Sequence, residues 1–326
     1  MLRSCIKRII LIPVILLVAL LIVFSLVNLS RVNPATEILG PSATQEEIDR
    51  LTEEMGLDDP VIIQFLNYVK GILHGDFGES YYTKEDVLGQ IARRWSISVR
   101  LALIAVIAIV AIGGTLGVLC AVYQYSWLDT IVNVISKCLA SVPTFWLALM
   151  FLLLFSLKLK WFPSHGLESW RSWVLPVITM VIPDCCTYLR NSRSAMLDCI
   201  RQDYVRTARS KGNKERVVIF KHALKNALLP LITITGMVFN ALMGGAVVAE
   251  TVYSIPGLGN MVLTAIKQKD IPLVVGGVFF LTVIFQVITL VIDLLYAAVD
   301  PRVRASFASQ GMRKRKRKVI HAGEEA

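Results

Sequence analysis

WVLPVITMVIPDCCTYL, residues 173–189, is an apolar stretch interrupted by Pro176, Pro183 and Asp184. Whether it crosses a bilayer decides the fold, because every later segment changes sides with the answer. Five other runs, Ile9 to Ser30, Leu101 to Val122, Cys138 to Leu157, Ala227 to Ala249 and Ile271 to Ile292, contain no Asp, Glu, Lys or Arg. Each holds about 20 residues, enough helix to cross hydrocarbon. Residues 190–225 carry ten cations against three acids, which places them on the cytoplasmic side. Arg3, Lys7 and Arg8 put the N-terminus on that same side. Three runs precede the broken segment, so it must itself cross, and an all-α membrane protein of six transmembrane helices is predicted.

Composition agrees. At 326 residues, 55% hydrophobic and 18% charged, the chain lacks the polar surface of a soluble domain of this size. The net charge of +10 then reflects orientation in the membrane rather than a nucleic-acid partner. The tail motif MRKRKRK, 312–318, falls on the cytoplasmic side with six spans and suits an anchor beside anionic headgroups. The first apolar run is too long, and lacks the small-residue cleavage site, for a secretory signal peptide. Six cysteines show no CxxC spacing and four histidines no HxxxH pair, so no metal site is expected.

The chain divides into residues 1–30 (N-terminus and first helix), 31–100 (an extracytoplasmic helical segment), 101–300 (a five-helix core with a cytoplasmic loop, 190–226) and a basic tail, 301–326. The outer segment carries twelve acids against seven cations. Thr44 and Glu47 form a capping-box pattern opening a helix through Met55, with Gly56 placed to end it. After Pro60, the spacing of Ile63, Leu66, Val69 and Leu73 predicts an amphipathic helix against the membrane or a partner. HGDFGES, 74–80, reads as a glycine turn. The connections YQYSWLD (123–129), KLKWFPSHGLESW (158–170) and ETVYSIPGLGN (250–260) read as loops, inside, outside and outside, with Trp161, Phe162, Trp170 and Trp173 at an interfacial belt.

Within the basic stretch, Cys199 to Ser210 favours helix, Gly212 breaks it, and helix resumes from Lys214 to Leu228 with Val217, Phe220, Leu224 and Leu228 on one face. A solvated loop needs cations but no apolar stripe. The stripe points to an element that packs into a partner.

These residues resemble the EAA loop of inner-membrane permease subunits in binding-protein-dependent ABC importers, specifically the dipeptide/oligopeptide/nickel family. The resemblance rests on DYVRTARSKG (203–212), KHALKNALLPLIT (221–233), ETVYSIPGLG (250–259), DLLYAAVDPRVR (293–304) and GDFGES (75–80), and covers nearly the whole chain. Two departures from the general loop pattern stand out. Arg206 occupies the glutamate position, with Thr207 beside the retained Ala208, and the distance from Gly212 to Leu229 and Pro230 is longer. Both are similar to the peptide branch.

The resemblance implies a type I ABC importer-like permease in a bacterial or archaeal cytoplasmic membrane, both termini cytoplasmic. It would transport di- or oligopeptides, nickel complexes, glutathione or related solutes. Its implied partners are a second homologous permease, one or two ATP-binding subunits and an extracytoplasmic substrate-binding protein. Tyr204, Arg206, Thr207, Ala208, Arg209, Lys211, Gly212 and Lys214 would couple to the ATPase. No GxxxxGK[ST] phosphate cradle is present, so ATP and Mg belong to partner subunits and no catalytic residue or cofactor is assigned to this chain.

Gly236, Asn240 and Gly244 fall on one helix face that combines close packing with a polar amide. Asn240 and Gly244, with Gln286 of the last span, are the expected lining of the pathway. Gly113 and Gly117 read as a structural GxxxG, and Asp184 and Asp293 as capping or ion-pairing carboxylates near cytoplasmic ends. The alternative is an ion-coupled transporter or channel. Such a protein usually carries ionisable groups in several spans, whereas five of these six lack one.

Overall fold

The computed structural model describes residues 2–28, 34–40 and 42–299. The basic tail, 301–326, lies outside them, as do the side chains of Arg3, Lys7, Arg8 and Asp293. Among the described residues the regular elements are helices, with an isolated antiparallel bridge between Glu79 and Asp86. Four helices lead into the core: α1 (Leu2–Asn28), α2 (Pro34–Leu39), α3 (Gln45–Glu54) and α4 (Val61–Leu73). Then come α5 (Val87–Val122), α6 (Trp127–Ala140), α7 (Thr144–Lys158), α8 (Trp170–Ile200), α9 (Asp203–Ser210), α10 (Glu215–Val252), α11 (Leu258–Gln268) and α12 (Ile271–Val299).

The stretch 173–189 lies in a helix long and apolar enough to cross a membrane. Residues 170–200 form one helix that passes through both prolines. Proline removes a backbone donor and would break an isolated helix. Here α8 sits centrally, packed on α5, α6, α7 and α10, and those neighbours hold its backbone. The Thr179 hydroxyl donates to the Leu175 carbonyl at 2.8 Å and, beside Pro183, that of Thr187 donates to the Pro183 carbonyl at 3.4 Å.

Helices α5, α8, α10 and α12 are long and apolar enough to cross a membrane. Helices α6 and α7 qualify together, but they meet at 91°. That corrects the expectation of one uninterrupted span from Cys138 to Leu157. Pro143 is extended at the break and caps α7, which starts at Thr144. The apolar part of α1 runs from Ile10 to Leu26.

Three helices, α5, α7 and α10, contain a wide turn with hydrogen bonds spaced as in a π-helix, at Val110–Gly114, Leu152–Lys158 and Val218–Ala223. Such a turn inserts one residue and rotates everything beyond it. The last of them lies in the stretch where the apolar stripe was read, and two faces separate there. Val218, Ile219, Ala223 and Ala227 form the buried face, whereas Val217, Phe220 and Leu228 of the expected stripe are exposed.

In the outer segment the capping box forms as expected: the Thr44 side chain accepts the Glu47 N–H, and the Glu47 carboxylate accepts the Thr44 N–H at 2.9 Å. This amide bond, with the Thr44 hydroxyl, holds the Glu47 carboxyl below the usual range. Helix α4 packs on α1 through Phe65 and Tyr68, which contact Phe24. Ile63, Leu66 and Leu73 of its stripe stay outward, while Val69 turns in.

Candidate functional site

Helix α8 ends at Ile200, and a two-residue turn separates it from α9. The expected helix from Cys199 to Ser210 is therefore two pieces, with Cys199 and Ile200 completing α8. On α9, Val205 and Ala208 point inward, clustered with Val118 and Ala121 of α5, Met196 and Leu197 of α8, and Val218 and Ile219 of α10. Tyr204, Arg206, Thr207 and Arg209 lie on the exposed side, as do Lys211, Gly212 and Lys214 beyond it. Seven of the eight residues expected to couple thus share one outward surface, and Ala208 is its anchor.

Gly212 has φ +73°, and a Cβ there would meet nothing within 4 Å. Backbone conformation, not space, is what calls for glycine at this bend. The elbow is tied on both sides. Arg209 pairs with Glu215 at 2.6 Å, and the Asn213 amide donates to the Ala208 carbonyl at 3.0 Å. Both charged partners of the ion pair are substantially exposed, so it sets geometry more than stability.

At the far end, the motif read as the loop 250–260 is a buried junction, and α11 follows it where the sequence reading had no helix. Glu250 is fully buried. Its carboxylate accepts the Ser98 hydroxyl at 2.5 Å and the Asn260 N–H at 2.8 Å, while Ser98 Oγ accepts the Leu258 N–H at 2.8 Å. An acid is thereby set at the N-terminus of α11, where unpaired amides favour it. A side chain at Gly257 would collide with that carboxylate. Tyr253 extends the junction, its hydroxyl contacting Thr179 Oγ1 at 3.0 Å and donating to the Ala148 carbonyl at 3.1 Å. One short motif thus joins α5, α7, α8, α10 and α11. Ser98 and Glu250 were missed by sequence reasoning. The available signal was an isolated acid ending an apolar run just before a proline–glycine turn.

Asp270 does the same for α12. It is fully buried, accepts the Ser80 hydroxyl at 2.5 Å and the Tyr81 N–H at 3.2 Å, and faces the Leu273 N–H at 3.4 Å. This fastens the GDFGES turn to the first turn of a crossing helix. Beside it, the Tyr81 hydroxyl is pushed up to about 12, first by burial and then by Asp270.

On the expected pathway face, Asn240 is half-buried. Its amide nitrogen reaches Thr289 Oγ1 of α12 at 3.5 Å, and its Oδ1 is buried without a partner. Gln286, also half-buried, sits one turn before Thr289. The two glycines differ from each other. A Cβ on Gly236 would strike Ile292, whereas Gly244 is exposed with open space around it, so close packing accounts only for the first. Gly113 and Gly117 do mark a close approach, facing the Cys185 and Leu189 carbonyls of α8.

Comparison with known proteins agrees with this architecture. The family described as binding-protein-dependent transport system inner membrane component matches residues 113–305, and its N-terminal companion matches residues 1–102. A protein of Brucella abortus (strain 2308) named as a peptide transport system permease is 40% identical over 301 residues, 90% of this chain and 96% of that protein. The glutathione transport system permease protein GsiC of Salmonella typhimurium (strain LT2) is 36% identical over 305 residues, 93% of this chain and 99% of that protein. A chain of the inward-facing MetNI methionine ABC transporter has a similar fold, with a TM-score of 0.53 at 18% identity, covering 65% of this chain and 97% of that one. This chain therefore belongs to the family of inner-membrane permease components of binding-protein-dependent ABC transport systems.

Proposed function

We propose that this permease forms half of a pathway for di- or oligopeptides and is driven through the elbow at Gly212. It pairs with a second homologous permease, docks one or two ATP-binding subunits against α9, and receives solute from an extracytoplasmic binding protein. Helix α1 serves as the sixth crossing, and both termini are cytoplasmic.

The observation that carries this reading is the way α9 is held. It presents a cationic outer surface, yet Val205 and Ala208 bury it against α5, α8 and α10. A push on the elbow is therefore delivered to crossing helices instead of being absorbed by a slack loop. The peptide cargo is supported by the names of the Brucella and Salmonella relatives, glutathione itself being a tripeptide. On the pathway side, Asn240, Gly244 and Gln286 are the proposed lining, with the half-buried Asn240 and Gln286 amides as its polar groups.

The test is reconstitution of the full complex with its binding protein. Short peptides are expected to stimulate ATP turnover where free amino acids do not, and a cysteine at Lys211 is expected to cross-link to the ATP-binding subunit. Stimulation by nickel complexes alone would replace the cargo assignment. Absence of any cross-link from the elbow would remove the coupling assignment.

A further inference from the structure

Helix α6 is built inside out for a helix beside water. Its inward side is polar: Asp129 and Ser136 are buried at 4% and 2% exposure, and half-buried Asn133 donates to the Asp129 carboxylate at 2.7 Å. The outward side is apolar, with Trp127 76%, Ile131 47%, Val134 55% and Ile135 51% exposed. These four follow the spacing of a single helical face. Thr130, also outward, turns its hydroxyl back to the Ser126 carbonyl at 3.1 Å. Lys137, at the flank, is long enough to carry its charge out of an apolar layer.

The 91° bend relates this face to the membrane. If α7 crosses, α6 lies nearly in the plane. The exposed face of α7 carries Trp146, Leu149, Leu153 and Leu157, which is a lipid-facing surface for a crossing helix, and exposed Leu139 and Phe145 stand on either side of the break between it and α6. The polar face meanwhile clamps α8. Arg193 donates through Nε and Nη2 to the two Asp129 oxygens, both at 2.7 Å, and the Tyr125 N–H adds a bond at 3.0 Å.

We propose that α6 is an in-plane helix whose outward face, Trp127, Ile131, Val134 and Ile135, rests in the acyl chains of the leaflet on the elbow side. Through Asp129 and Arg193 it holds the last turns of α8, and so the root of the elbow, at a fixed depth in the bilayer. Aromatic and branched aliphatic side chains opposite a polar face are what an interfacial helix requires. The proposal uses the orientation given above only to call that leaflet cytoplasmic.

The test is tryptophan quenching in the assembled transporter, placed in nanodiscs of phosphatidylcholine brominated near the carbonyl end or near the methyl end of the acyl chain. The Trp127 signal is taken as the difference from Trp127→Phe, with Trp127→Tyr as a second subtraction. Loss of that signal is expected with carbonyl-end bromine, with less loss from methyl-end bromine and little from iodide. Dominant quenching by iodide would overturn the proposal in favour of an aqueous or ATPase-facing surface. Protection from all quenchers would overturn it in favour of burial by the second permease. Because bromine reports lipid contact in either leaflet, a reversed topology would leave this result intact and revise only the side.

Discussion

Ser80 and Asp270, 190 residues apart, meet in a buried hydrogen bond of 2.5 Å. It joins the turn before α5 to the N-terminus of α12, so the outer segment and a crossing helix share a fixed point. A bond to a charged acceptor contributes about 1.5–3 kcal/mol, and leaving either partner unpaired costs a similar amount. Ser80→Ala and Asp270→Asn should each destabilise the chain, and the double variant should cost clearly less than their sum. Thermal melts in nanodiscs supply the cycle, and strict additivity would mean the contact carries no coupling.

Glu250 poses a sharper version of the same question. Glu250→Ala leaves the buried Ser98 hydroxyl without its acceptor, at about 1–3 kcal/mol, and removes the acceptor of the part-buried Asn260 N–H. Glu250→Gln keeps one carbonyl oxygen and should lie between wild type and Ala in melting temperature. Equal stability of all three would show that the junction is held by Tyr253 and packing instead.

At the elbow, conformation decides. An L-residue in the left-handed region costs about 1–2 kcal/mol, and β-branching worsens it. Gly212→Val should insert into the membrane normally but lose solute-stimulated ATP turnover, whereas Gly212→Asn should retain most of it. Normal uptake by the valine variant would count heavily against the elbow as the joint.

The Asp129–Arg193 pair is largely sequestered, so breaking it differs from replacing it. Arg193→Met alone should destabilise by about 3 kcal/mol, because the Asp129 carboxylate is left without its guanidinium. Asp129→Leu combined with Arg193→Met should recover much of that loss. Denaturation of the purified chain distinguishes the two outcomes.

Asn240 separates stability from transport. Its unsatisfied Oδ1 means that Asn240→Leu should leave the melting point unchanged or raise it by the equivalent of about 1 kcal/mol. Peptide uptake should nonetheless fall. A variant that melts early and transports normally per folded molecule would assign the amide to packing.

Much of this molecule was written in its hydropathy. Uncharged runs near bilayer length, set against the cations of 190–225, pointed to a helix through 173–189 despite its prolines, and residues 170–200 form one helix long and apolar enough to cross. The capping box at Thr44 and the bend at Gly212 were equally legible, since each depends on neighbours only a few residues away. Tertiary structure decided what a period cannot carry. Around the π-type turn at Val218–Ala223 the chain buries Ile219 and Ala223 and leaves Phe220 exposed, and one apparent span is bent into α6 and α7 near Pro143. It alone brought Ser80 to Asp270, Ser98 to Glu250 and Arg193 to Asp129. Those pairs are separated by 64 to 190 residues, and each forms because a buried carboxylate must find donors wherever the packed helices supply them.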